Sequence, residues 1–520
     1  MNLLNALPFH LARQDGSHHQ ASFGQIVDSH WTDIWSPRPD FRGAAYQFLI
    51  GVLQTALAPE DQEHWQELWD TPPTEAELQA ALAPYASAFN LDGNSWRFMQ
   101  DNDLGDVESK SIANLLIESP GDKTVRDNLD HFIKRGRVEQ ICPACAAMAL
   151  FTLQINAPSG GVGHRVSLRG GGPLTTLLVP NAADATLWQK LWLNVLPQDA
   201  LAYGASPRLS DVLPWVGKTR TSEAKTGTDT TPEHVHRLQA YWSMPRRISL
   251  EIEAVPNSQC DLCGTDTDEI VRQYGTKNYG INYTGAWQHP LTPYSVDPKT
   301  GLLSIKGQKG GIGYRHWLGL ALGSSADNRE AARIVGHFNQ HLTRRVPARL
   351  WCFGFDMDNM KARCWYDATL PLHEIEPAQQ RAFINAVRSI LELAAEAAKL
   401  LNSHVKAARF SRPGDVPSDP AIPQSFWQES EPGFYALLKQ LADTRMDDDA
   451  AVAGIYRSWL TDVSRIALRL FDQWVESVPI EDGNMGRIVR QREELRKWLN
   501  ANKIAKELWK IVKAYQKEAA

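Results

Sequence analysis

The chain has 520 residues, 43% of them apolar and 22% charged, which is enough to bury a large core and too apolar for a disordered chain. With 54 basic against 60 acidic residues, a net charge of −6 and only six cysteines, it is neither a simple basic nucleic-acid binder nor a disulfide scaffold. No run reaches the ~18 apolar residues of a membrane span, since the longest is interrupted by Gln47 and Gln54, and the amino terminus lacks the basic-then-apolar order of a signal peptide, so a cytoplasmic address with no membrane partner is expected.

In chain order, residues 41–57 and 59–83 read as helices, and 218–234, rich in Thr, Gly and charge, as an exposed mobile loop. Residues 247–254 and 349–355 alternate or cluster like strands. Short strands, helices and glycine-rich loops mix without a regular alternation, which predicts an α+β class for a large irregular domain over 1–375. A helical bundle over 376–520 follows. Its first helix carries Phe383, Val387, Ile390, Ala394, Leu401 and Val405 on one face. A Pro-rich break at 411–423 leads to a shorter helix with Phe434, Leu437, Leu438 and Leu441, and then to a stripe of Ile455, Trp459, Val463, Ile466, Leu470 and Trp474. Asp482-Gly-Asn484 turns into a fourth, basic helix, so the expectation is an all-α four-helix bundle. From Arg487 to the end there are ten basic residues, among them Arg490, Arg496, Lys497 and Lys503, against four acidic ones. That segment is +6 and the rest of the chain −12, which fits a solvated face and a polyanion-facing surface equally.

Several motifs could carry chemistry. Cys142-Pro-Ala-Cys145 and Cys260-Asp-Leu-Cys263-Gly264 are two thiolate knuckles, and four thiolates make a closed structural zinc site. The metal would staple two distant parts of the large domain, a reading favoured over a thioredoxin-like dithiol because the second pair is present. Cys352 and Cys364 read as small buried residues flanking a hairpin. Gly160-Gly-Val162-Gly163-His164-Arg165, leading to Arg169-Gly-Gly-Gly-Pro173, combines bare backbone amides with positive charge, suiting a phosphate or the groove edge of a duplex as well as a purely conformational turn. Lys306 to Arg315 is a second such stretch. Neither fits a P-loop or a dinucleotide fingerprint. Phe132, Lys134, Arg135 and Arg137 interleave an aromatic with cations, as in single-strand binding or an ordinary basic loop. Asp356-Met-Asp358 at a strand end imitates an aspartyl phosphotransferase or phosphatase, but lacks the small residue expected two positions on, where Met360 stands.

Taken together, the opening Met1-Asn-Leu-Leu4, Arg97-Phe-Met-Gln100, both cysteine knuckles, Gly160 to Pro173, Trp287-Gln-His-Pro290 and Gly354 to Ala362 resemble the large subunit of the type I-E CRISPR Cascade complex, the CasA family. The resemblance implies a non-catalytic subunit of an RNA-guided surveillance ribonucleoprotein for antiviral defence. In such a complex pairing reads the target and protein reads a protospacer-adjacent motif (PAM) in duplex DNA. By position it implies that Gly160, Gly161, Val162 and Gly163 lie along the groove with Arg165 and Arg169 beside them. Lys277 or Asn278 would probe that groove, and Asn359, Met360 and Lys361 would wedge the duplex open to start the R-loop. The family's wedge glutamine is replaced here by Met360 or Lys361. Phe132, Lys134, Arg135 and Arg137 would touch the guide-RNA handle and the neighbouring backbone subunit, while Arg487, Arg490, Arg496, Lys497 and Lys503 would face the small subunits or the displaced strand. Partners so implied are guide RNA, double-stranded target DNA, the backbone, small and handle-binding subunits, and a helicase-nuclease.

Overall fold

The computed structural model describes residues 1–127, 136–201, 208–299, 301–307, 309–358, 361–477 and 484–516. Two compact units divide the chain. One comprises Met1–Gly311 and Asn328–Thr369, the other Ile312–Asp327 and Leu370–Ala520. The fold is of the mixed α+β kind expected, ending in helices. Compared with a division after residue 375, the second unit begins its carboxy-terminal part at Leu370 and also takes in Ile312–Asp327.

In the first unit β1 (His10–Ala12) pairs antiparallel with β2 (His18–Gln20) and β3 (Asp33–Trp35). Then comes α1 (Pro39–Ala56), whose proline sits in the first turn where no N–H partner is lost. Its Phe48 ring meets Phe9, Phe89, Phe98, Phe151 and Trp242 edge-on at centroid distances between 5.8 and 6.2 Å. Those edge-to-face contacts centre the core on α1. The two glutamines that interrupt its apolar run are buried and satisfied. Gln54 exchanges two 2.8 Å hydrogen bonds with the Leu196 backbone, and Gln47 accepts from Arg169. The stretch read as one helix over 59–83 is two, Gln62–Asp70 and Glu75–Leu82. Thr71-Pro-Pro-Thr74 breaks it, because a proline lacks the donor a continuing helix needs, and Thr74 caps the second piece in a capping box with Glu77.

Three further antiparallel sheets follow among the described residues. β4 (Ser109–Ser111) joins the long hairpin of β6 (Arg247–Gln259) and β7 (Asp266–Lys277). Helix α2 (Pro143–Asn156) packs behind β7, and β5 (Thr175–Pro180) pairs with β11 (Ala348–Asp358), which neighbours β12 (Lys361–Pro371). The last sheet is β8 (Tyr294–Asp297), β9 (Gly301–Ser304) and β10 (Arg329–Glu330), followed by α3 (Arg333–His341). The Arg97-Phe-Met-Gln100 motif is a bracket between these layers. Phe98 joins the aromatic core, Met99 takes a left-handed φ of 51°, and fully buried Gln100 accepts from Leu250 N at 2.8 Å while donating to Leu91 O at 2.7 Å. Residues 218–234 are largely exposed, but they are pinned where Ser222 N donates to Tyr279 O and Thr230 N to Asn282 O.

The second unit holds α4 (Gln380–Arg409), α5 (Ala421–Asp443), α6 (Asp449–Glu476), α7 (Met485–Ala501) and α8 (Lys503–Gln516). The apolar positions predicted on the first three are buried, save Trp474, which is half-buried with its Nε1 on Ser425 Oγ at 2.9 Å. Two details differ from the expectation. Helix α5 begins before Pro423, which occupies its tolerant first turn, and runs on through Pro432. The basic fourth helix is two, broken at Asn502, whose backbone is extended and whose Oδ1 accepts from Ala505 N at 2.9 Å. Tyr314 brings Ile312–Asp327 into this unit, its hydroxyl on Ser430 at 2.8 Å and its ring stacked 4.4 Å from Phe434.

Candidate functional site

The far end of the β6–β7 hairpin carries the second knuckle. Gly264 adopts φ +72° there and donates to Cys260 O at 2.9 Å, a turn that L side chains resist. The first knuckle opens α2, Cys142 serving as its N-cap. The Ile141–Val271 bridge, with hydrogen bonds of 3.1 and 2.8 Å, lays it against β7. All four sulfurs lie within 4.8 Å of one another, and Cys142 Sγ is 3.8 Å from Cys263 Sγ. Zinc–thiolate bonds of ~2.3 Å in a tetrahedron put sulfurs about 3.8 Å apart. Three of the cysteines are buried and the fourth half-buried. Asp261, between the ligands, accepts from Glu139 N at 2.7 Å and Gln140 N at 2.9 Å, an outer brace of the kind that fixes metal ligands. Hydrogen bonds from Cys142 and Cys145 draw Cys260 down to about 6 and Cys263 lower still, while the Cys145 thiol is pushed up by Cys142, Cys260 and Cys263. Four sulfurs packed this closely, three of them buried, suit a shared dication. The cluster weighs against the dithiol alternative, since Cys142 and Cys145 face the second knuckle. Of the remaining two cysteines, Cys352 is buried as expected, whereas Cys364 is exposed because its β12 position faces outward.

At the opposite end of β7 the glycine loop meets the segment expected to probe a groove. Asn278 Nδ2 donates to Val162 O at 2.8 Å, and Tyr279 N to Gly163 O at 2.8 Å. Gly163 sits at φ +75°, where a Cβ would stand 2.8 Å from Asn278 Cβ. Gly161, at φ +101°, has open space around it, and Val162 is 78% exposed. Lys277 is exposed, its Nζ on Leu104 O at 2.9 Å. Gly160 and Lys277–Asn278, far apart in sequence, thus form one exposed ridge.

The cations assigned beside that ridge are another matter. Arg169 is 4% exposed, donating to Gln47 Oε1 at 2.7 Å, Thr175 Oγ1 at 3.0 Å and Thr292 Oγ1 at 3.1 Å. Burial lowers its pKa to about 10. It ties α1 to β5 and cannot offer its charge to a ligand. Glycines 171 and 172 are close-packing positions, a Cβ on the second lying 2.5 Å from Met357 Cγ. Lys306 of the second glycine stretch is likewise internal, donating to Arg169 O and Ser304 Oγ. Arg165 is half-buried, with Nε on Ser222 Oγ at 2.7 Å and its guanidinium over Tyr279. Two residues escaped sequence reasoning. Gln154 receives Arg246 N and donates to Arg246 O and Met99 O. Arg246 then reaches back to Pro158 O at the root of the glycine loop. Neither belongs to a motif.

In the β11–β12 hairpin Lys361 is exposed; Asn359 and Met360 lie outside the described residues. Asp356 is buried and held in two bonds by Arg363, at 2.6 and 3.1 Å, while Asp358 takes a third at 3.1 Å. A carboxylate clamped in that way is a poor nucleophile, so the phosphotransfer reading gains nothing from the geometry. Phe132, Lys134 and Arg135 also lie outside the described residues, and Arg137 is exposed. On the basic helices, Arg487 is structural, its guanidinium donating to Ala408 O and Arg409 O at the end of α4. Arg496 pairs with Glu493 at 2.8 Å and Lys497 lies over Trp498, leaving Arg490 and Lys503 exposed without an ion pair among the described residues.

Residues 9–470 match the family model of the CRISPR-associated protein Cse1. Among solved structures the chain is similar to Thermus thermophilus CasA (Cse1), at 17% identity and a TM-score of 0.69 over 96% of this chain and 99% of that one. It is also similar to Thermobifida fusca Cse1, at 16% identity and 0.66 over 99% and 98%. A third similar chain comes from a CRISPR RNA-guided surveillance complex, at 15% and 0.66 over 96% and 99%.

Proposed function

This chain belongs to the CRISPR-associated Cse1 family, the large subunit of type I-E Cascade, and from that premise we propose that it reads the PAM in double-stranded DNA and starts strand separation for a guide RNA. The observation that carries the reading is the 2.8 Å bond from Asn278 to Val162 O, which joins the glycine loop and the Lys277–Asn278 segment into one projecting ridge. A ridge with exposed backbone, one apolar tip and a flanking lysine fits the minor groove, where readout is degenerate and close approach matters more than side-chain length. Gly160 to Gly163, Lys277 and Asn278 are the reading surface; Arg165 supports it, and Arg169 has no part in contact. Lys361, with Asn359 and Met360, is the wedge. Phe132, Lys134, Arg135 and Arg137 contact the RNA handle, and Arg490 and Lys503 face the displaced strand or small subunits. The protein works in the cytoplasm without a catalytic centre of its own, passing the opened target to a helicase-nuclease. Zinc at Cys142, Cys145, Cys260 and Cys263 holds the first unit together.

The test is binding of a guide-matched duplex by the other Cascade subunits and RNA, with and without this chain, across a randomised flanking motif. Addition of the chain creates a flank preference that Gly161→Asp removes, since it sets a carboxylate on the exposed loop and strains the backbone there, which sits at φ +101°. Met360→Ala with Lys361→Ala keeps the flank preference in duplex capture and slows opening. A chain that joins the complex without creating a preference is an assembly subunit, and the reading fails.

A further inference from the structure

The Trp287-Gln-His-Pro290 motif has no place in duplex reading, and the structure puts it in the wall of a cleft of about 270 Å³ in the first unit. His289 lies buried behind that wall and fixes the turn: its Nδ1 accepts from Leu291 N at 3.1 Å, and its backbone N–H donates to Tyr294 Oη at 2.7 Å. Trp287, Pro290 and Leu238 give an apolar surface, and two arginines from separate elements stand over it, Arg237 and Arg333. Both are exposed, and neither guanidinium makes a hydrogen bond or ion pair with a described residue. They are close enough that Arg237, after burial, is a cause of the lowered pKa of Arg333. Arg333 opens α3, whose N-cap Ala332 supplies no side-chain acceptor. Glu233 is the one carboxylate lining the cleft among the described residues.

Two guanidiniums lining one cleft, with Glu233 as the one carboxylate beside them among the described residues, favour a ligand of more than one negative charge with several acceptor oxygens. A single carboxylate is satisfied by one arginine fork. A phosphate monoester answers both, and the apolar wall beside it fits a sugar or base. We infer that this cleft binds the terminal phosphate of a nucleotide, free or at the end of a nucleic-acid strand, with Arg237 and Arg333 as its clamp. The inference goes beyond duplex reading and does not depend on it.

Calorimetric titration of the zinc-loaded full chain with adenosine 5′-monophosphate, adenosine and N-acetylglutamate amide tests it. The monophosphate binds, and the other two do so at least tenfold more weakly. Arg237→Gln and Arg333→Gln each weaken the monophosphate at least tenfold without changing the melting temperature, Glu233→Gln tightens it, and Arg457→Gln, on α6, leaves it alone. A pentanucleotide with a 5′-phosphate that binds more tightly than the monophosphate identifies a strand end as the natural ligand; one that binds no better identifies the free nucleotide. Equal binding of adenosine, equal binding of the glutamate amide, no heat with the monophosphate at millimolar concentration, or full affinity in both folded arginine variants overturns the inference.

Discussion

At Gly163 the backbone is left-handed and a Cβ would press on Asn278, so Gly163→Ala costs about 1–3 kcal/mol of local stability. The cost falls on the ridge, so on the proposed reading the flank preference of the assembled complex is lost while the metal content of the four-cysteine cluster is unchanged. His289 offers a second residue-scale test. Burial, with a smaller push from nearby Arg169, holds its pKa well below the ordinary histidine value. The folded chain therefore keeps it neutral while the unfolded chain takes up a proton below pH ~6.5. The stability it contributes is complete above that pH and is lost as pH falls toward the folded value, with a slope of up to about 1.4 kcal/mol per pH unit. His337, lowered to about 4 by burial and by His341, acts in the same direction between pH ~6.5 and about 4. His289→Asn, which keeps an acceptor for Leu291 N, flattens the fall in melting temperature between pH 7 and 5; an unchanged slope refutes the assignment. At this scale the sequence was legible only where spacing carries geometry. Two C-x-x-C pairs announce four converging sulfurs, but nothing distinguishes exposed Arg137 from Arg169, whose fate was settled by Gln47, Thr175 and Thr292 arriving from elsewhere in the chain.

Elements were more readable than residues, because a helix writes its buried face into the sequence at a 3.6-residue period. Phe383 through Val405 and Ile455 through Leu470 are buried as their spacing requires. What periodicity cannot show is where a polar helix breaks. Nothing apolar changes at Asn502, yet its side chain accepts from Ala505 N and starts α8 anew. Asn502→Ala removes that cap at a cost of about 1 kcal/mol. Amide exchange over 503–506 in the full chain then speeds several-fold while 485–495 is unaffected; uniform change across both helices would mean they act as one. The hairpin of β6 and β7 was seen only in part, since its outer half, with Asn257 at φ +57° and a register shift after Ala254, abandons strict alternation.

For the whole molecule the four-cysteine cluster matters most, because it joins the start of α2 to the β6–β7 turn across 121 residues. Part of the first unit's mixed fold was beyond sequence reasoning because β4 pairs with β7 and β5 with β11 across long stretches of chain, and distance in sequence hides such pairing. Binding energy at a four-thiolate site is folding energy, since the unfolded chain holds no preformed cluster. The hairpin end otherwise has few means of support. Around it lie Asp261, the Ile141–Val271 bridge and exposed strand positions, with little apolar area to bury. Removing zinc with a chelator, or replacing Cys260 with serine, therefore loosens residues 139–145 and 257–268 first and lowers the melting temperature by several degrees. The aromatic core around Phe48 stays protected. Exchange measured peptide by peptide separates the outcomes. Loss confined to the hairpin and the start of α2 identifies a staple on an otherwise self-supporting unit. Loss spreading through α1 identifies a metal required for the whole unit. Unaltered exchange and melting after complete zinc removal would show that the four thiols pack as a dry cluster and that the metal reading is wrong. The staple also bears on the ridge, since β7 carries Cys263 before its start and Asn278 after its end. A hairpin freed at one end transmits less order to the other, so zinc-depleted protein captures duplex with a weakened flank preference, and restoring zinc restores it.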